Sequence, residues 1–176
     1  MLGATRISAQ TMLYASSADF CQIFEKDMDS LYLLSFWLTG DHLLAEKCFV
    51  RGLEDSQKGN PVFKEWTLSW ARRSIIQSAI QMIRPRPARN RTSSSTSDRS
   101  AGHAMTQPAE IANLVELPQF ERFVFVMSVL ERSSDHECSL LLDCTRGDVI
   151  AARTWVLQQI AKGGGSSLQN GKHRFG

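Results

Sequence analysis

The residues best suited to chemistry lie in one run, VFKEWTLSWARRSIIQSAIQMI (62–83). At about 100° per residue on a helix, Trp66, Trp70, Arg73 and Gln77 share a narrow arc, while Leu68, Ala71, Ile75, Ala79, Met82 and Ile83 take the opposite side. Two indoles, a guanidinium and an amide apart from the apolar stripe offer a platform for unstacked bases. Each stacked base contributes about 1–3 kcal/mol, and the arginine can bind phosphate. The same spacing admits a second arrangement, in which one or both indoles pack against neighbouring helices, because tryptophan is usually well covered. Arg72 falls toward the apolar arc and is expected to lay its stem along it with the head in solvent.

A second constellation occupies LPQFERFVFVMSVLERSSDHECSLLLDCTRGDVIAARTWVLQQI (117–160). Ser134 followed by Glu137 matches a capping box, Cys138, Leu141 and Leu142 give the next helix an inner face, and Ser139 is small enough for close helix approach. Thr145 caps the following helix. There Val149, Val156 and Ile160 align inward and turn Gly147, Asp148, Ala151, Thr154, Trp155 and Gln158 outward. This is a helix-turn-helix pattern, and its candidate duplex contacts are Thr145, Arg146, Ala151, Thr154, Trp155 and Gln158. Gln158 and Thr154 can read base edges and Arg146 can bind phosphate. Arg153 projects toward the inner side, and Asp148 has the wrong sign for phosphate, although a carboxylate can accept from cytosine. So thin a reading face leaves open a trihelical module that contacts protein instead.

Other chemistry finds little support. His136, Cys138 and Cys144 lack a fourth zinc ligand nearby, and helical periodicity needs Cys138 in the core. No nucleophile elbow or sheet framework accompanies the serines and histidines. Asn90-Arg91-Thr92 fits a glycosylation sequon without a secretion signal to give it force. Neither a metal nor another cofactor is expected. Cys21, Cys48, Cys138 and Cys144 read as small core residues in a reducing compartment.

The elements that must position these side chains are helices. Phe20, Ile23, Phe24, Met28, Leu31, Leu34 and Leu38 predict one helix from about Ala18 to Leu38, with Gly40 as its stop and Asp41 as the N-cap of a second helix reaching about Leu53. After a polar stretch, a third runs from about Phe63 to Ile83 and ends at Arg84-Pro85. Four more are expected at Ala109–Leu117, Gln119–Glu131, Ser134–Leu142 and Thr145–Ala161. Between the two groups, residues 84–108 hold 5 basic and 1 acidic side chains, against 8 and 9 in residues 1–83 and 7 and 8 in 109–176. The net +2 of the 176-residue chain therefore conceals a basic middle segment, rich in Ser, Arg and Pro and expected to be a disordered linker. Neither half carries a domain-wide basic field, so nucleic-acid binding would rest on local patches. The longest apolar run, Leu31 to Leu38, is too short to span a membrane. The reading is an all-α chain: a flexible N-terminus (1–17), a first helical module (18–84), a disordered basic linker (85–108), a helix-turn-helix module (109–162) and a flexible tail (163–176).

LYLLSFWLTGDHLLAEKCFV (31–50), followed by residues 62–83, resembles the promoter-melting module of bacterial RNA polymerase sigma factors of the sigma-70 family, and 117–160 looks like the family's second module. Order, spacing and linker together are similar to the minimal extracytoplasmic-function type. The resemblance implies a sigma-like initiation factor without catalytic activity of its own. Core RNA polymerase would dock on the second helix, around Asp41, Glu46 and Arg51. The third helix would hold the −10 promoter element as a single strand, and the helix-turn-helix would contact the −35 duplex. An anti-sigma protein is a further potential partner, and the setting is the cytoplasm. Lys47, Cys48 and Arg51 interrupt the acidic surface usual for the docking helix, and Asp143 stands where the family often has glycine. The alternative is a sigma-like interaction module that has lost promoter readout.

Overall fold

The computed structural model describes residues 13–58, 61–87 and 114–165. They form an all-α protein of two helical units that divide between Arg84 and Pro85. The expected linker from residue 88 onward, the start of the helix expected at Ala109, the N-terminal segment before residue 13 and the tail beyond 165 lie outside the described residues. Among the described residues no helix is long and apolar enough to cross a membrane.

The first unit contains α1 (Ser17–Lys26), α2 (Met28–Thr39), α3 (His42–Lys58), a 3-10 turn (Lys64–Trp66) and α4 (Thr67–Ile83). The single helix expected over 18–38 is broken at Asp27, whose φ of −104° and ψ of 23° leave the helical well. One such residue barely shifts the apolar phase, so the periodicity reads straight through the break. Phe20, Phe24, Leu31, Leu34 and Leu38 are buried as it requires, but Met28 beside the break is 54% exposed. Each buried Leu or Phe contributes about 1.5–3 kcal/mol. Gly40 does terminate α2, at a φ of 72° that favours glycine. Asp41 then opens α3 by accepting the Leu44 N–H at 2.9 Å.

α3 continues a full turn beyond Leu53. Arg51 pairs with Asp55 at 3.6 Å and Lys58 with Glu54 at 3.8 Å, so the polar run supports the helix by i,i+4 pairing. Its inner side is made of small residues, Cys48, Gly52 and Ser56, which let α4 approach closely. A Cβ on Gly52 would stand 2.6 Å from Ile75 Cγ1 and 3.2 Å from its Cα.

The second unit holds α5 (Gln119–Phe125), a wide turn (Val126–Leu130), α6 (Asp135–Leu141) and α7 (Arg146–Gly165). Only the end of the helix expected at 109–117 is described, and it turns at Glu116, with Leu117 N–H donating to Leu114 O at 3.3 Å. The helix expected over 119–131 widens at its end, where Glu131 N–H reaches back five residues to Val126 O at 2.9 Å. Phe120, Phe123, Val124, Val126, Met127, Cys138, Leu142, Val149, Ala152 and Val156 fill this core. Arg122 is buried with them, and one guanidinium N–H donates to Val115 O at 2.9 Å, tying down the turn at its side. Ile160, expected inward, is 48% exposed, because the core ends at Val156 and α7 runs on past it. Residues 163–165 accordingly belong to α7 and not to a tail.

Candidate nucleic-acid interface

The four residues expected on one platform differ in exposure. Trp66 closes the 3-10 turn and precedes the first residue of α4; it is 57% exposed. Trp70, a turn later, is half-buried, and its indole N–H is covered without a hydrogen bond. Arg73 is half-buried and Gln77 exposed. The most exposed members of the set are therefore Trp66 and Gln77, about three turns apart. Arg72 donates to Ser30 Oγ on α2 at 2.9 Å.

Trp66 instead belongs to a different aromatic group. Phe63, three residues earlier, meets it edge to face with ring centroids 5.4 Å apart, and Phe63 stacks on Tyr14 at 4.9 Å. The backbone holds this group in place: Tyr14 and Phe63 form an isolated antiparallel bridge, and Ala15 N–H donates to Val62 O at 2.7 Å. Residues expected to belong to a flexible N-terminus thus brace the loop before α4. Lys64 pairs with Asp19 at 3.2 Å, and Asp19 completes the capping box of α1: its carboxylate accepts the Ser16 N–H at 2.7 Å. These bonds, Ser16 first and Lys64 after, hold the Asp19 carboxyl down at about 2. Tyr14 and Phe63 were not among the sequence candidates; the only signal was an aromatic three residues ahead of Trp66.

On α3, Asp41 is occupied in capping, Glu46 is exposed, and Arg51 donates to Gln81 Oε1 on α4 at 2.6 Å besides pairing with Asp55. Glu46, Lys47, Val50, Arg51 and Glu54 line a shallow groove. Leu43 (68% exposed) and Val50 (54%) share this helix, apolar groups among the charges expected there. Burial raises the Tyr32 phenol, and its hydroxyl hydrogen-bonds His42 Nδ1 at 3.0 Å at the start of α3.

The helix-turn-helix is tightly built. Ser134 Oγ accepts the Glu137 N–H at 3.2 Å, and Asp143 takes the left-handed turn position at φ 50°. Thr145 and Asp148 form a reciprocal cap. Thr145 N–H donates to Asp148 Oδ2 at 2.9 Å, the Thr145 hydroxyl donates to the same oxygen at 2.7 Å, and Asp148 N–H returns to the hydroxyl at 3.1 Å. Asp148, expected to face phosphates, is thereby turned back on its own helix. Arg153 binds Asp135 through two hydrogen bonds, one of them 3.2 Å long. Arg146, Ala151, Thr154 and Gln158 are exposed and Trp155 is half-buried. Alongside them stand Ile150 (47% exposed) and Leu157 (47%). Cys138, the central residue of the imagined zinc set, lies fully buried, and burial pushes its thiol up to about 11. Among the described residues no three His, Cys, Asp or Glu side chains gather as a metal site would require.

The chain matches no family model and no curated protein.

Proposed function

We propose that this protein is a sigma-like transcription initiation factor. Its first unit docks core RNA polymerase along α3 and traps the melted −10 strand beside Trp66. Its second unit meets the upstream −35 duplex with α7. The observation that carries this reading is the exposed Trp66, braced by Phe63 and Tyr14 at the mouth of α4. A rigid indole in solvent offers a π-face to an unpaired base at little entropic cost. α3 supports the docking role, with exposed Leu43 and Val50 among charged neighbours, since apolar anchors rimmed by polar groups mark protein-binding surfaces. In this reading polymerase performs the chemistry, the chain needs no cofactor of its own, and the setting is the cytoplasm.

Reconstitution tests it. Core polymerase with this protein should start transcripts at defined promoters, and Trp66→Ala should abolish strand opening while polymerase still co-elutes with the variant. Absence of both a polymerase complex and a transcript from any genomic fragment overturns the reading.

One observation favours a second reading, a sigma-like module that contacts protein without reading promoters. On α7 the exposed cations are Arg146 and Lys162, at opposite ends, whereas major-groove readers lean on several. Duplex binding by the full chain at low salt discriminates the two.

A further inference from the structure

α7 is longer than the core it packs on. Val149, Ala152 and Val156 are its buried apolar residues, and every residue from Leu157 to Lys162 is exposed. Ile150, Thr154, Leu157 and Ala161 follow one another at intervals of four, three and four residues, so they fall on one line along the exposed side. Ile150 and Leu157 are each 47% exposed on that line, and the line itself carries no charge.

We propose that a second copy of this chain covers that line, the two α7 helices pairing antiparallel about a two-fold axis that passes between Trp155 and Val156. An interface of this symmetry must complement itself. The order of the line, large, small, large, small, meets that condition: with the axis so placed, Ile150 faces the partner's Ala161 and Leu157 faces the partner's Thr154. Every bulky side chain therefore meets a small one, which lets the helices approach closely. Charge agrees. Asp148 is folded onto Thr145, Arg153 is held by Asp135, Arg146 lies beyond the end of the paired region, and Lys162 stands off the line, so no like charges oppose one another. One helix from each copy makes a small interface, and the pairing is driven by concentration. It buries Thr154, one of the two base readers on α7, so pairing and upstream duplex contact exclude each other. The inference stands apart from base capture by the first unit.

Sedimentation equilibrium of the full chain, without nucleic acid or polymerase, is the test. The expected result is a mass that climbs from one copy toward two with concentration, and that Leu157→Glu holds at one copy with an unchanged helical circular dichroism spectrum. Register is read by cross-linking in a Cys21→Ser, Cys144→Ser background. Ile150→Cys combined with Ala161→Cys should oxidise to a covalent dimer, whereas Ile150→Cys alone should not. A single-copy mass at every concentration, a dimer indifferent to Leu157→Glu, or equal cross-linking by Ile150→Cys alone would overturn the proposal.

Discussion

Arg153 on α7 grips Asp135 at the start of α6 with a two-pronged ion pair, one contact running from Nη2 to Oδ2 at 3.2 Å. The pair bridges the two helices of the helix-turn-helix and fixes their angle through a planar fork that lysine could not supply. Both side chains are 29% exposed, enough cover to limit solvent screening without burying the charges outright. Arg153→Met is expected to lower the stability of the second unit by about 1–2 kcal/mol. A double-mutant cycle with Asp135→Asn, followed by urea unfolding, measures the coupling; additive losses would show that the pair holds nothing.

The two tryptophans of the first unit predict opposite phenotypes. Trp66→Ala should leave unfolding almost unchanged and weaken binding of a single-stranded oligonucleotide about 5- to 150-fold, the equivalent of one lost base stack. Trp70→Ala should cost about 2 kcal/mol or more of folding free energy, because its ring is half-buried and leaves a hole. Fluorescence titration and thermal melts of the pair separate the two roles, and the assignment fails if the phenotypes are exchanged.

Gly52→Ala sets two effects against each other. Helix propensity favours alanine by about 1 kcal/mol, but the new methyl would lie 2.6 Å from Ile75 Cγ1 and 3.2 Å from the Ile75 backbone. The backbone cannot rotate away as a side chain can, so overpacking wins and the net change is a loss of about 1–2 kcal/mol. A raised melting temperature would mean that the α3–α4 crossing relaxes freely.

Acid should loosen the brace beneath the aromatic group. Asp19 is held at about 2 when folded and returns to about 3.9 when unfolded, so its contribution is complete above about pH 4 and disappears as pH falls toward 2. Asp19→Asn should flatten the stability curve across that window and leave its shape near neutrality unchanged. Denaturant midpoints at half-unit pH steps decide the matter.

The four thiols should report burial in order. Cys21 is exposed, and Cys48 and Cys138 are buried and pushed up to about 11, which leaves almost no thiolate at neutral pH. A disulfide reagent should take Cys21 at once, Cys144 more slowly, and the buried pair only on unfolding.

Much of the helical architecture was legible because it is written in periodicity. Leu31, Leu34 and Leu38 recur at helical spacing, Gly40 supplies a left-handed stop, and Ser134 with Glu137 announces an N-terminus. The exposure of each platform residue is not written there. A helical wheel assumes an unbroken helix on a single partner. Trp66 precedes α4 on a 3-10 turn, while Trp70 lies on a helix packed by α1, α2 and α3 together, so a residue off the main stripe can still be covered. Tyr14 leaves no sequence signal because its partner Phe63 is remote along the chain and the bridge between them involves a single pair. Asp148 differs from its expected direction for a local reason: its carboxylate reaches back three residues, and wheel projections carry no information on where a short side chain turns.

That backward turn of Asp148 also governs how duplex binding would answer to ionic strength. A phosphate arriving at the first turn of α7 meets a carboxylate already seated on the backbone N–H of Thr145, so little counterion release is available there. With Arg146 and Lys162 as the exposed cations of the helix, log affinity against log salt should fall with a slope no steeper than about −2 from this face. A duplex held by α7 would thus lose proportionally less affinity as salt rises than one held by an arginine-rich reading helix.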